Sequence, residues 1–295
     1  MTNPRRHLRP RAEFGCECQV IGDHSDVSAL NFLHLYEMKG IEFIPASGGR
    51  TAMGRDFSLP TLGRKFSCRD LTPVRSRIAS SNMLDLEKIT ACPLVRQFEF
   101  HSELPSTSDR ALNLATAPSQ ATPLLVLADR QTAGRGRGVN RWWSSEGALT
   151  FTLAVDLRPT WSPERRTQLG LVVGLAVRAA VERHMPAQAL VQVKWPNDVY
   201  LDGRKVCGIL IETTGSSPPR AVIGIGINVN NSFEAAPDEV RQRAVAMIDR
   251  RGESCDRTSV LVAVLDELAE LFDRLESDDF LLAPLFAEHC LLTGK

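Results

Sequence analysis

The chain has 295 residues, 43% of them hydrophobic and 24% charged, with Lys plus Arg and Asp plus Glu balanced at 35 each. That is enough to bury a full core in one or two domains, and it excludes a small scaffold held together by disulfides. A zero net charge gives no argument for nucleic acid or an anionic membrane as the main partner.

No apolar run approaches the roughly 20 residues that span a bilayer. The start, with Arg5, Arg6, Arg9 and Arg11, is not followed by the apolar core of a secretory signal. A cytoplasmic protein is expected. The seven cysteines, Cys16, Cys18, Cys68, Cys92, Cys207, Cys255 and Cys290, are scattered without metal-ligand pairing and read as reduced thiols.

Residues 1–82 carry no sustained helical or strand period and are broken by Gly48-Gly49, Pro60, Gly63 and Pro73. They read as a poorly ordered extension. Eight acidic residues, from Glu13 to Asp70, argue against a transit peptide. Met83 precedes the first well-patterned segment and is a candidate for the true start. Residues 83–290 read as the folded domain.

Within it, Leu94 to Phe100 reads as a strand. Ser106-Thr107-Ser108-Asp109 supplies helix-start chemistry for a helix that Pro118 stops. Leu124 to Ala128 is a compact central strand and Ala148 to Leu157 another. Pro163 opens a helix running to about His184. Val191 to Lys194, Val199 to Leu201 and Lys205 to Glu212 favour strands, and Asp202-Gly203 is a tight-turn pair. Ala221 to Val229 is a further strand, and Ser259 to Leu275 an amphipathic helix. The expected architecture is α+β, a mixed sheet with helices on one side.

Three segments combine unusual backbone and charge requirements. In Gln131-Thr132-Ala133-Gly134-Arg135-Gly136-Arg137-Gly138, alternating glycines admit a close ligand, and guanidinium groups clamp carboxylate or phosphate oxygens. Taken alone, it is equally an exposed solvated loop or a flexible nucleic-acid-binding segment. In Lys194-Trp195-Pro196-Asn197-Asp198, charged and amide groups crowd one strand end, and the turn that follows folds Lys205 and Gly208 back towards them. The bland roles for Trp195 (core), Pro196 (strand stop) and Asp198 (cap) exclude none of this. Gly224-Ile225-Gly226-Ile227-Asn228-Val229-Asn230 is a strand open to close approach; as a lone Gly-x-Gly it is equally a strand packed against a helix. Cys207, in an apolar strand with no His nearby, reads as a buried structural thiol, and His101 and His184 as surface and helix-end residues.

In this order the three segments resemble the biotin protein ligase family over about residues 98–231. Lipoate ligases and octanoyltransferases share the fold, but their Gly-Gly-Gly loop followed by His is missing here. The resemblance implies a catalytic domain of the biotin/lipoate ligase fold, similar to class II aminoacyl-tRNA synthetases. It implies ATP-dependent conversion of biotin to biotinyl-5'-AMP, with Mg²⁺ accompanying ATP, then transfer to a lysine of a biotin carboxyl carrier protein.

It also implies roles for individual residues. Ser106, Thr107, Ser108 (where the family commonly has Asn), Gln131, Arg135, Gly136, Arg137, Lys205 and Gly208 look like the biotin site. Gly134, Arg135, Arg137, Trp142, Lys194, Asn197, Lys205 and Asn228 look like the adenylate site, with Trp143 a competitor for the role of Trp142. Arg135, Arg137, Lys205 and Asp198 look catalytic, Asp198 by supporting metal or lysine geometry. The resemblance admits a homodimer. Residues 1–82 show no winged-helix pattern, so DNA binding is not expected. The small β-barrel domain usual at the family's C-terminus is expected to be absent or truncated at 291–295. The competing readings are a lipoate ligase or octanoyltransferase, and a nucleic-acid binder using the Gly/Arg loop.

Overall fold

The computed structural model describes residues 17–20, 83–277 and 280–293. Its frame is one eight-stranded sheet in the order β1-β2-β3-β4-β8-β7-β6-β5. The strands are β1 (Glu17–Val20), β2 (Gln97–Leu104), β3 (Leu124–Gln131), β4 (Leu149–Asp156), β5 (Val191–Lys194), β6 (Asp198–Leu201), β7 (Arg204–Thr213) and β8 (Arg220–Ile227). β1–β2 and β2–β3 pair in parallel and every other pair is antiparallel, so the sheet is mixed as the sequence pattern predicts. The hairpin turn sits at Asp202-Gly203, both with positive φ (47° and 79°), the backbone that an Asp-Gly pair favours.

The helices are α1 (Leu86–Thr90), α2 (Thr107–Ala115), α3 (Pro163–Thr167), α4 (Leu169–Arg183), α5 (Asp238–Arg243), α6 (Met247–Arg251), α7 (Arg257–Arg274) and α8 (Leu282–His289). Pro163 occupies the first turn of α3 behind the N-cap Ser162, and the expected single helix is divided at Gln168 into α3 and α4.

Strand alternation shows that helices cover both faces, not one. Leu125, Leu127, Phe151, Leu153, Ile223 and Ile225 join a large core with α4 and α7. Their neighbours Leu124, Val126, Ala154 and Val222 face the other way, onto Ala111 and Ala115 of α2. The sequence missed this because α2 is short and its buried side is alanine, which carries little periodic signal.

Two buried charges fix α2. Arg220 is 3% exposed; its guanidinium donates to the carbonyls of Ala115, Ala117 and Gln120, each at 2.8 Å, and to Asp156 Oδ1 at 2.9 Å. It closes the C-terminal end of a helix that has no basic residue in its last turn. Near the other end, Glu99 accepts two bonds from Arg110, at 2.8 and 2.9 Å, and lies 3.2 Å from His101 Nε2. His101 is therefore buried and paired rather than a surface residue.

Glu17–Val20 is a strand where no strand period was expected. Otherwise, the expectations for residues 1–82 lie outside the described residues. Among the described residues no helix is long and apolar enough to cross a membrane.

Arg220→Leu should lower stability by about 3 kcal/mol in urea unfolding followed by circular dichroism, because the helix carbonyls lose their buried donor; a loss under 1 kcal/mol would contradict that role. Burial pushes the Glu99 carboxyl up, but hydrogen bonds and charge from His101 and Arg110 outweigh it and hold the pKa below the usual carboxylate value. Its stabilising effect is therefore present above the unfolded pKa of about 4.3 and is lost as pH falls from there towards the lowered native value. Glu99→Gln should flatten that acid-side dependence, read from denaturant midpoints across the pH range.

Candidate active site

Beyond α2, the face of β7 and β8 carries glycine where side chains would otherwise project. A Cβ on Gly226 would lie 2.6 Å from Cζ2 and 2.7 Å from Nε1 of Trp142. One on Gly208 would be 3.2 Å from both Lys205 Nζ and Trp142 Cζ3, and one on Gly224 would overlap Ser108 Oγ. The bare backbone is the floor of a cavity of about 330 Å³, and the Trp142 indole lies directly on it. Trp142 Nε1 is buried and has no hydrogen-bond partner among the described residues.

One end of the cavity is polar but uncharged. Gln131 Oε1 accepts from the Thr107 backbone N–H at 2.7 Å and from Thr107 Oγ1 at 3.0 Å, and Thr107 Oγ1 accepts from Thr152 Oγ1 at 2.9 Å. Ser108 Oγ lies 3.3 Å from the same Thr152 hydroxyl. Gln131 Nε2 has no partner among the described residues, so a donor remains available there. Thr152 lies buried on β4, among apolar residues that gave no signal in the sequence.

The other end is cationic. Arg137, Arg141, Lys194 and Lys205 line the cavity with one carboxylate, Asp198, whereas Arg135, also in the lining, is held between Asp109 of the helix start and Glu212. Lys205 Nζ pairs with Asp198 Oδ1 at 2.7 Å, so the hairpin has folded Lys205 back beside the Lys194–Asp198 segment as its spacing predicts. Arg135 makes a two-pronged pair with Glu212, and its Nε lies 2.7 Å from Asp109 Oδ1. Arg137 is exposed and has no ion-pair partner among the described residues. Lys194 Nζ bonds the Tyr200 hydroxyl at 3.2 Å and lies 4.9 Å from its ring centroid. Asn197 spans from the strand end to β7, donating through Nδ2 to Ile209 O at 2.7 Å.

Most residues singled out in the sequence converge here: Thr107, Ser108, Gln131, Arg135, Gly136, Arg137, Trp142, Lys194, Asn197, Asp198, Lys205 and Gly208 all line the cavity. Three do not. Ser106 caps α2, accepting from Asp109 N–H at 3.2 Å. Gly134 is buried beneath the loop, its carbonyl accepting from Trp142 N–H at 2.9 Å. Asn228 is buried beyond the end of β8, with Oδ1 3.3 Å from Asn231 Nδ2. Trp143 is also off the cavity. Arg141 and Thr152 were missed; Arg141 follows the Gly/Arg stretch and was within reach of the same charge argument. Cys207 is fully buried, and burial pushes its thiol far up, which leaves it inert.

A biotin/lipoate A/B protein ligase model matches residues 101–230. The biotin–[acetyl-CoA-carboxylase] ligase of Paracoccus denitrificans is 36% identical over 184 residues, 61% of this chain and 74% of that protein. The chain belongs to the biotin/lipoate A/B protein ligase family. The bifunctional ligase/repressor BirA of Bacillus subtilis is 37% identical over 170 residues, 56% of this chain and 50% of BirA, so the chain spans about half of that relative's length. Among solved structures, the biotin protein ligase of Aquifex aeolicus in complex with biotin and ATP is 32% identical, covers 66% of this chain and 78% of its own, and superposes with a TM-score of 0.55. The Leishmania major biotin protein ligase in complex with biotinyl-5-AMP is 29% identical, covers 68% and 82%, and superposes with a TM-score of 0.56. The α+β mixed sheet expected from the sequence is thus the fold of this ligase family.

Gly226→Ala should displace the Trp142 indole at a cost of about 1–3 kcal/mol, the usual range for overpacking. The measurement is tryptophan emission, with a shift that disappears when the same substitution is made in a Trp142→Phe background. An unchanged spectrum in the single variant would contradict the contact.

Proposed function

We propose that this chain is an ATP-dependent biotin protein ligase, forming biotinyl-5'-AMP and passing the biotinyl group to a lysine of a biotin carboxyl carrier protein. The observation that carries the reading is the polarity of one cavity: a neutral hydrogen-bonding end, a glycine-floored apolar middle under Trp142, and a cationic end. Biotin has the matching order of groups: a ureido head that donates and accepts hydrogen bonds, an apolar body and a carboxylate tail. The dithiolane of lipoate or the alkyl end of octanoate would leave the Thr107, Ser108 and Gln131 groups facing carbon, a mismatch that such sites reject strongly. The nucleic-acid reading is not favoured. The Gly/Arg loop folds back on itself through Gly136 N–H to Asn140 O at 2.9 Å, and its cations face a concave site.

The first step joins a biotin carboxylate oxygen to the α-phosphorus of ATP and breaks the bond to pyrophosphate. Negative charge gathers on the phosphoryl oxygens, and Lys205, Arg137 and Arg141 offset it inside a partly enclosed site where such charges interact strongly. Asp198 acts through Lys205 by holding its ammonium at a fixed position. In the second step the carrier lysine amine attacks the acyl carbon and AMP departs. The Trp142 ring and the loop keep water from the anhydride meanwhile. Among the described residues no three His, Cys, Asp or Glu side chains converge to hold a metal, and Asp198 is already paired with Lys205. In this reading magnesium accompanies ATP, with phosphate oxygens supplying most of its ligands.

Lys205→Ala and Arg137→Ala should each lower biotin-dependent ATP–pyrophosphate exchange on the order of 10²-fold to 10³-fold, with unchanged circular dichroism. Exchange driven by lipoate or octanoate in place of biotin, or rates in both variants unchanged from the wild type, would refute the reading.

A further inference from the structure

The two arginines of the Gly/Arg loop are in opposite situations, although the sequence presents them as a repeat. Arg135 reaches two carboxylates on different elements: Glu212 near the end of β7 accepts from both terminal nitrogens, and Asp109 in the first turn of α2 forms an ion pair with Oδ1 2.7 Å from Nε. Two residues later, Arg137 is exposed and meets no carboxylate among the described residues. Gly136 separates them and begins the turn closed by Asn140.

From this we infer that Arg135 is a fixed anchor rather than an anion-binding arginine, and that Glu212 and Asp109 are positioning residues that set the loop against both walls of the cavity. Asp109 follows Thr107 and Ser108 on the helix end that supplies the neutral polar groups. Glu212 lies on the strand that supplies Lys205 and Gly208. One guanidinium thus ties the two walls to each other and to the start of the loop, leaving the segment from Arg137 to Asn140 free to move over a ligand. A bidentate arginine with a second carboxylate at Nε is outnumbered in charge, so an incoming phosphate would meet repulsion and have to displace a charge-assisted pair to reach it. Arg137 presents no such barrier.

The consequence for catalysis rests on the biotin-ligase reading; the anchor itself does not, and the test separates them. Trypsin needs a free arginine side chain, so in the wild type it should cleave after Arg137 and spare the Arg135–Gly136 bond. Glu212→Gln should raise cleavage after Arg135 by about tenfold or more, with Glu212→Asp intermediate and Asp109→Asn showing a smaller rise, as expected for loss of a charge-assisted hydrogen bond. Asp109 is 51% exposed at its side chain, so its variant tests the idea even if Glu212→Gln unfolds. In pyrophosphate exchange, Glu212→Gln should raise KM for biotin about tenfold while kcat changes less than threefold, the pattern for a lost binding geometry. An Arg135–Gly136 bond as resistant in folded Glu212→Gln, or in Asp109→Asn, as in the wild type overturns the anchor, whatever the activity. A released bond with unchanged KM overturns its role in shaping the biotin site. A wild type that performs no exchange refutes the ligase reading and leaves the cleavage result standing.

Discussion

The close approach of Trp142 to the backbone of β7 and β8 is the contact on which the rest of the site depends. The indole can lie there only because positions 208 and 226 lack a Cβ, and Gly224 leaves the same kind of gap for the Ser108 hydroxyl. A sheet face of this kind is ordinarily covered by side chains and a helix, as it is where α2 rests on β3, β4 and β8. Where the glycines begin, the helix ends and a cavity takes its place. The sheet thereby supplies a rigid floor whose shape is set by backbone hydrogen bonds rather than by side-chain rotamers, and rigid elements hold a binding geometry better than loops do.

The charges follow from that floor. Lys205 comes from the strand that also contributes Gly208, and Asp198 pairs across the hairpin with Gly208 itself, so the ammonium, its carboxylate and the open floor are fixed in one register. The neutral end is built differently, from a helix start packed on β4 through the Thr107–Thr152–Ser108 hydroxyls. Arg220 and Glu99 matter to the site only indirectly, by holding the two ends of α2 in place. A buried arginine far from the cavity thus belongs to the same constraint as the cavity lining.

Much of this was legible in the sequence, and the reason is chemical. Gly-Arg repeats, Lys-Trp-Pro-Asn-Asp and Gly-x-Gly are costly arrangements for ordinary strands and turns, and the strong Asp202-Gly203 turn fixed which strand end Lys205 would approach. What stayed hidden were relations between distant positions of unremarkable type. Glu212 lies 77 residues from Arg135 and reads locally as the polar end of an apolar strand. Arg220 closes a helix end 105 residues earlier, and nothing near it distinguishes it from a surface arginine. His101 looked exposed because its burial comes from packing beneath α2: its partner is Glu99, two residues along the same strand, and through it Arg110 on a different element. Short-range pattern finds the elements and special backbone; it does not find ion pairs made by folding.

That difference decides how the repeated arginines should be understood. Two guanidinium groups separated by one glycine look equivalent in sequence, and an electrostatic argument from composition assigns them the same role. In a partly enclosed site the relevant quantity is the charge that remains after each group's permanent partners are counted, because a neutralised cation exerts only a dipolar field at the place where new negative charge develops. By that measure Arg135, outnumbered by two carboxylates, contributes order and no positive field, Arg137 contributes field and little order, and Lys205, matched by one carboxylate, lies between them. A site that makes a reactive anhydride needs both kinds of group. Fixed ones define where the acid lies, and unpaired ones answer charge that appears only during the reaction.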